Sequence, residues 1–394
     1  MSSSLVTDAD VLIVGGGPAG LSTGIFLCHA APELRGRVVV LEKERYPRDK
    51  FCAGGIGARA DRWLERIGVE VNVPSVPIDG VSLELPNGRV SAREGAIGRV
   101  VRRIEYDHAL ARIASQRGVR VVEGAKAIHL SIEPTGVRVE TTEGSFAARV
   151  VVGADGVGSF VRRAIGLPAG RYRAQVIELD TESVPSDPAR DLLHFDAADS
   201  SLTGYTWDFP TLVDGRELVC RGIYHLKLDD GSVDIHALLA DRLAKRGLDL
   251  SRYKLKRFAE RGFELHDPFA APRVILAGEA AGIDGLTGEG IAQAIGYGAF
   301  VGPYLAEKLA ANDFRFDDFA RRFRRGAVGV ELAVRTRVLP FFFGKSRSKV
   351  ERFLLGTPDF VAVGIQHFAG RRLSRAKIAG SAWSAAWHAA REAV

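Results

Sequence analysis

Hydrophobic positions near the start of the chain follow two different periods. Residues 9–14 form a short, continuous apolar run that stops at three glycines, which predicts a strand buried on both faces. Residues 18–30 follow with the composition of a buried helix, and residues 37–41 form a second apolar run. The order of strand, glycine turn, helix and strand predicts a βαβ unit within a parallel sheet.

The pattern changes in the middle of the chain. Residues 81–90 and about 171–224 alternate as short strands around turn signals such as Pro86-Asn87-Gly88, which predicts an antiparallel sheet. Strand-turn-helix patterning returns in residues 100–122, 150–165 and 273–309. Helical patterning dominates residues 234–261 and the chain from 317 onwards.

We therefore expect an α/β protein in which a discontinuous Rossmann-type domain carries an inserted antiparallel sheet and ends in a helical region. A chain of 394 residues is long enough for two packed domains with a ligand between them. The predicted ranges are 1–75, 95–170 and 265–325 for the nucleotide-binding domain, 76–94 and 171–264 for the substrate domain, and 326–394 for the basic helical C-terminal region.

Composition narrows the function classes. The three cysteines have neither disulfide nor metal spacing, the N-terminus lacks a signal-peptide pattern, and no apolar run approaches ~18 residues, so we expect a cytoplasmic protein without a metal. The net charge of +6 arises from the C-terminal part of the chain, because residues 321–394 carry 15 Lys or Arg against 4 Asp or Glu. The rest of the chain is acidic, and we do not expect nucleic-acid binding.

The glycine turn has the spacing of a dinucleotide-binding fingerprint. Gly15 permits the tight turn, Gly17 lets a pyrophosphate approach the backbone, and Gly20 allows close helix packing. The helix start at Pro18 and Ala19 offers N–H donors to an anion. An acid that could bind a ribose follows 22 residues beyond Gly20, so the site is predicted to include Glu42 and its neighbour Lys43.

Two distant segments indicate which dinucleotide binds. A loop with the sequence Gly-Ala-Asp-Gly places Asp155 after a strand, and a later buried strand ends at Gly278 and Glu279, where an acid could bind a ribityl hydroxyl. A helix then starts within the run Gly288, Glu289, Gly290, Ile291. Its N-terminus could stabilise negative charge on a reduced flavin. Together these motifs predict FAD.

The segments Gly-Glu-Ala-Ala-Gly at 278–282 and Thr-Gly-Glu-Gly-Ile at 287–291 resemble the geranylgeranyl reductase family of FAD oxidoreductases. The loop Tyr46–Gly55 resembles that family's cysteine loop, although Ala53 alters its spacing, and residues 204–210 resemble its Tyr-x-Trp-x-Phe-Pro segment. The resemblance implies Cys52, Tyr205 and Trp207 near the reacting centre and Arg103 near FAD. It also implies that reduced flavin reduces or dehydrogenates a hydrophobic isoprenoid or natural-product substrate, with NAD(P)H or a ferredoxin as the electron donor.

Other activities remain open on these residues. The Asp155 loop is equally typical of FAD monooxygenases that use NAD(P)H and oxygen. Flavin halogenases resemble the same fold, but they have tryptophan where this chain has Tyr205. A non-catalytic flavin-binding protein is a further alternative.

The basic C-terminal region also contains aromatic side chains. Phe341–Phe343 lie near Lys345, and Trp383 and Trp387 follow later. Aromatic and basic residues together suit a membrane interface, so we expect possible peripheral membrane contact here. The alternative is a helical layer that packs its aromatics on the body of the protein.

Overall fold

The computed structural model describes residues 6–228 and 232–371. Its strands are β1 (Val6–Val14), β2 (Val38–Glu42), β3 (Gly55–Gly57), β4 (Ser75–Leu85), β5 (Gly88–Val101), β6 (Arg120–Glu123), β7 (Ala127–Ile132), β8 (Val137–Thr141), β9 (Gly144–Gly153), β10 (Arg173–Thr181), β11 (Leu192–Asp196), β12 (Gly204–Val213), β13 (Arg216–Lys227), β14 (Lys256–Arg261), β15 (Ala270–Ala271) and β16 (Val274–Leu276). Its helices are α1 (Pro18–Ala30), α2 (Ala58–Glu65), α3 (Arg103–Gln116), α4 (Phe160–Ala164), α5 (Ile235–Ala244), α6 (Ile291–Ala310), α7 (Phe319–Arg325), α8 (Ala327–Phe343), α9 (Arg347–Gly356) and α10 (Pro358–Phe368).

The first sheet contains the predicted βαβ unit. Its strand order is β15-β16-β9-β1-β2-β6, and β1, β2, β6, β9 and β16 pair in parallel. The hairpin β7–β8 attaches to β9 as an antiparallel edge. Because β1 and β2 are buried on both faces, their sequences are continuous apolar runs and not alternating ones.

The second sheet is the predicted antiparallel one. Its order is β14-β10-β13-β12-β11-β4-β5-β3, and β11 with β4 is its one parallel pair in the described part of the chain. The α/β fold class is confirmed. The domain boundaries stay a prediction, although β5 continues through residue 101 in this sheet, past the expected limit at 94.

The expected helical pattern over residues 234–261 is wrong at its end. Helix α5 stops at residue 244, and β14 pairs in antiparallel register with β10. The sequence pattern did not predict a strand here because two charged residues, Lys256 and Arg261, occupy buried positions of β14. Both have carboxylate partners, Asp180 and Asp267, so the positions are polar but compensated.

Helices α1 and α6 pack closely and run in the same direction. Ser22 lies against Gly298, and further along both helices Leu27 lies against Gly302. A Cβ on Gly302 would lie 2.6 Å from the backbone nitrogen of Leu27, so only glycine allows this approach. Both helix N-termini consequently lie at the same end of the pair.

The C-terminal helices cover the aromatic face of the second sheet. Leu339 of α8 and Ile365 of α10 are buried in one cluster with Trp207 and Phe209 of β12. Within the described residues, no helix is long and apolar enough to cross a membrane. Trp383 and Trp387 lie outside the described residues.

Candidate functional site

A cleft of about 400 Å³ lies where the first sheet faces the second. The ends of β1, β2 and β9 form one side, and β14 forms part of the other. The cleft brings together the following predicted site residues: Gly15, Gly17, Pro18, Ala19, Glu42, Lys43, Cys52, Arg103, Asp155, Glu279, Gly288, Gly290 and Ile291. Gly20, Tyr205, Trp207, Gly278 and Glu289 do not line it.

The turn from β1 into α1 leaves a surface free of side chains. Gly15 has a φ of +111°, and a Cβ there would lie 2.3 Å from the Ala154 carbonyl oxygen. A Cβ on Gly20 would lie 2.0 Å from the Gly15 carbonyl oxygen, so Gly20 closes the turn from inside. The helix begins after Gly17 without a side-chain cap, which leaves its first N–H groups for a ligand.

Glu42 is held rigidly at the end of β2. Its carboxylate accepts hydrogen bonds from the backbone N–H of Gly16 at 3.1 Å and of Glu44 at 3.0 Å, and from Arg48 at 3.0 Å. A carboxylate has about four acceptor positions, so one stays available for a ribose hydroxyl. The neighbouring Lys43 is largely exposed at the cleft rim.

Arg48 is a cleft residue that sequence reasoning missed. It joins Glu42 to Asp107 of α3, to which it donates at 2.9 Å. Asp107 also accepts two bonds from Arg103, at 2.6 and 2.7 Å. Asp107 is fully buried, and these two arginines compensate its charge. Asp107 follows Arg103 by four residues, a spacing that brings two side chains together on a helix, and this spacing was the signal that could have identified the network.

The Asp155 carboxylate accepts hydrogen bonds from residues that follow it closely in the chain. It accepts the backbone N–H of Phe160 at 2.6 Å and of Val161 at 3.1 Å, at the N-terminus of α4, as well as the Ser159 hydroxyl. Burial raises its pKa, and these hydrogen bonds act in the opposite direction. Asp155 therefore shapes the loop wall of the cleft through helix capping.

Glu279 follows β16 and projects into the cleft, as predicted for an acid at a strand end. It accepts the Arg261 N–H at 3.3 Å, and burial raises its pKa while Lys50 opposes the shift. Gly278 packs against Ala19 at the start of α1, and a Cβ on Gly278 would lie only 2.5 Å from Ala19 Cβ. Glycine at this position therefore lets the acid-bearing turn approach the start of α1.

The second helix start offers a second ligand surface. Helix α6 begins after Gly290 without a side-chain cap, and Gly288 has a φ of +65°. Glu289 turns away from the cleft and pairs with Arg59 at 2.5 Å and Arg335 at 3.1 Å. It fixes the loop to α2 and α8, and it does not face the expected flavin position.

Cys52 lies in the cleft on a loop that Glu178 anchors. Glu178 of β10 accepts the Cys52 N–H at 2.8 Å, and the Gly54 N–H donates to Cys52 Sγ at 3.4 Å. Burial raises the pKa of the Cys52 thiol, although Arg103 opposes the shift. The thiol is therefore protonated at neutral pH and is a poor nucleophile.

Tyr205 and Trp207 share the aromatic face of β12, as their two-residue spacing predicts. Their ring centroids are 6.2 Å apart, and Trp207 is only 4% exposed beneath the C-terminal helices. The Tyr205 hydroxyl donates to the Thr287 carbonyl, next to Gly288. Tyr205 thus borders the second helix start, whereas Trp207 belongs to the sheet core; their catalytic role stays a prediction.

Three further cleft residues, Lys50, Phe258 and Glu260, were not among the predicted site residues. Phe258 and Glu260 lie on β14, which the helical pattern hid, and Lys50 lies 5.5 Å from the Phe258 ring centroid. Every second residue of a strand shares a face, so reading residues 256–261 as a strand would have placed Phe258 and Glu260 together.

The residues present fit FAD. Two uncapped helix starts meet an open glycine surface, which suits a pyrophosphate and the negative charge of a reduced flavin. Glu42 suits the adenosine ribose, and Glu279, at the end of a different strand, suits the ribityl chain. The described residues contain no cluster of three metal-ligating side chains, and the absence of a metal stays a prediction.

This fold and this cleft define an FAD-binding oxidoreductase. The chain belongs to the FAD binding domain family, which it matches over residues 8–311. A digeranylgeranylglycerophospholipid reductase of Methanothermobacter thermautotrophicus is 27% identical over 88% of this chain and 90% of that protein. A menaquinone reductase of Mycobacterium tuberculosis is 28% identical over 79% and 78%.

Solved structures share the same architecture. A geranylgeranyl bacteriochlorophyll reductase-like protein of Thermoplasma acidophilum superimposes with a TM-score of 0.67 and 19% identity, covering 96% of each chain. The resemblance to geranylgeranyl reductases is confirmed. A rifampicin monooxygenase of Streptomyces venezuelae is 27% identical over 71% of this chain and 60% of that protein, so the similar proteins include a second chemistry.

The Glu42→Gln variant should bind FAD about 10- to 100-fold more weakly than the wild type. The substitution keeps the shape but removes a charge-assisted acceptor, a loss of about 1.5–3 kcal/mol. Quenching of FAD fluorescence during titration of the apoprotein measures the dissociation constant. Glu65→Gln, on the exposed face of α2, is the control. Equal affinity of both variants would contradict the assigned role of Glu42.

Glu178 should make the protein less stable as the pH rises from about 5 to 7. Burial raises its pKa to about 7, whereas the unfolded chain ionises near the usual value. Between those values the native state retains a proton that the unfolded state has lost, so stability falls with rising pH, by about 3 kcal/mol in total.

Urea unfolding of the FAD-loaded protein at several pH values checks this pH dependence. Glu178→Gln carries no titrating group, so its stability curve should be flatter than that of the wild type across this range. Parallel curves for the two proteins would show that Glu178 ionises at an ordinary pH.

Proposed function

We propose that this protein reduces a carbon–carbon double bond of a hydrophobic, prenyl-type substrate, with FAD in the cleft and NAD(P)H as the electron donor. The observation that carries the proposal is the position of the cysteine loop. Cys52 lines the cleft between the two helix starts and the second sheet, and Phe51 and Phe258 give the adjoining wall an apolar surface. The reductases named above match most of the chain, which supports the same chemistry.

Each part of the cleft has a role in this proposal. When bound, FAD supplies two-electron transfer to an organic substrate. The starts of α1 and α6 hold its negative charge, and Glu42 and Glu279 orient it. Cys52 borders the space left for the substrate, while Tyr205 packs against the start of α6 and Trp207 supports it from within the sheet. Water is kept out by the apolar wall.

A flavin monooxygenase is the second candidate function. The similarity to a rifampicin monooxygenase over 71% of this chain favours it. The Asp155 loop is compatible with both chemistries. The two candidates differ in what happens to oxygen.

The reductase proposal predicts substrate reduction without oxygen. The FAD-loaded protein, incubated anaerobically with NAD(P)H and a geranylgeranyl-bearing glycerophospholipid, should give a product heavier by about 2 mass units per reduced double bond. Mass spectrometry of the lipid measures it. A product heavier by about 16 units, formed only in air, would instead establish the monooxygenase. If the flavin stays oxidised after NAD(P)H is added, only the proposed electron donor is overturned.

We also propose that α8 provides peripheral contact with an anionic membrane. Val330, Val334 and Phe341 are 48%, 54% and 57% exposed on this helix, and Arg337 is exposed between them. Apolar side chains beside basic ones suit the boundary between headgroups and acyl chains. A prenyl lipid would reach the protein from such a surface.

Vesicle co-sedimentation tests this contact. The protein should bind phosphatidylglycerol vesicles more strongly than phosphatidylcholine vesicles, and Phe341→Asp should weaken binding several-fold because it places a charge at the membrane surface. The matched control is Ile128→Asp, since Ile128 is 54% exposed on β7 of the first sheet. Equal loss from both variants, or no preference for the anionic lipid, would overturn the proposal.

A further inference from the structure

Glu260 is a cleft residue that the cofactor surfaces do not use. It lies on β14 opposite Ala174 of β10, and its side chain lines the cleft beside Phe258. Its Oε2 atom is shielded from solvent and has no hydrogen-bond partner among the described residues. A buried carboxylate oxygen without a partner is costly, which makes a neutral carboxylic acid the favoured form.

The surroundings of Glu260 place it beside the second helix start. A Cβ built on Gly288 would lie 3.1 Å from Glu260 Oε2 and 3.1 Å from the Tyr205 hydroxyl. The hydroxyls of Tyr205 and Tyr224 donate to the carbonyls of Thr287 and Gly285. Their protons are therefore directed away from the carboxyl group, which remains available to the cleft.

The charges that face Glu260 also favour its neutral form. Burial raises its pKa most strongly, followed by the neighbouring carboxylate of Glu279, and Glu178 and Asp284 act in the same direction. Lys50 is the opposing cation. Glu279 differs because it accepts a backbone N–H from Arg261. Two neighbouring carboxyl groups in unequal surroundings tend to divide into one acid and one anion.

We propose that Glu260 is the catalytic acid that donates a proton to the substrate carbon during reduction. This role rests on the proposed function, because saturating a double bond requires a hydride at one carbon and a proton at the other. The hydride comes from reduced FAD, which is oxidised by two electrons as the double bond is reduced. The Glu260 O–H bond breaks as the new C–H bond forms, and water reprotonates the carboxylate before the next turnover.

Infrared spectroscopy tests the protonation state without any turnover. The FAD-loaded wild type at neutral pH should show a carboxylic-acid carbonyl band that Glu260→Gln lacks. Glu65→Gln, the exposed control on α2, should retain the band. If the wild type and Glu260→Gln have the same band, Glu260 is ionised and the proposal is overturned.

A single-turnover experiment tests the proton transfer. Enzyme reduced with dithionite under anaerobic conditions is mixed with the geranylgeranyl-bearing glycerophospholipid, and flavin reoxidation is followed by absorbance. Glu260→Gln should be slower by about 100- to 10,000-fold, the usual contribution of a positioned acid. Its FAD dissociation constant and its rate of reduction by dithionite should match those of Glu65→Gln.

The outcomes separate this role from the proposed function. If Glu260→Gln reoxidises its flavin as fast as the wild type does, only the role of Glu260 is overturned. If the wild type leaves the lipid unchanged, the reductase function itself is overturned. Glu260→Asp keeps an acid with a shorter reach and should recover part of the rate. If Glu260→Gln does not bind FAD, the Glu260→Asp variant provides the test. Flavin reoxidation by Glu260→Asp at the wild-type rate supports a required acid. If Glu260→Asp reduces no more lipid than the apoprotein does, the role of Glu260 as an acid is contradicted.

Discussion

The close parallel packing of α1 and α6 determines the geometry of the cleft. Gly298 and Gly302 let the two helix backbones approach, and a larger side chain at either position would meet the backbone of α1. Because the helices run in the same direction, both N-termini point into one space. Each N-terminus carries a partial positive charge, so the pair forms a surface for a ligand with negative charge at two separate places.

The sequence predicted the parts of this site that depend on local backbone constraints. Gly15 and Gly20 were identified because no other residue fits a turn that tight, and Glu42 because a strand end fixes its distance from the glycines. The two sheets were likewise predicted from their hydrophobic periods, since one is buried on both faces and the other alternates. These are short-range consequences of strand and helix geometry.

The remaining parts depend on contacts between distant segments. Glu289 was assigned to the cofactor from its position in a motif, but Arg59 and Arg335 attract it to the opposite side of the loop. Glu260 was missed because β14 contains charged residues whose carboxylate partners lie outside that strand, so its pattern resembled a solvated helix. A carboxylate turns toward whichever cation the fold places nearby, and residue spacing does not contain that information.

The distribution of partners among the buried carboxylates separates structural from reactive roles. Asp107 has two arginines, and Asp155 has the start of a helix. Both carboxylates therefore have hydrogen-bond partners within the protein and hold the walls of the cleft in place. Glu260 faces aromatic rings and other acids instead. In the proposed reduction, negative charge develops near the flavin while a proton is donated to the substrate. The negative charge needs positive surroundings, whereas the proton donor needs surroundings that keep it neutral, so one uniform environment cannot serve both. The positive helix starts and the proposed neutral acid meet these two needs with separate groups of the same cleft.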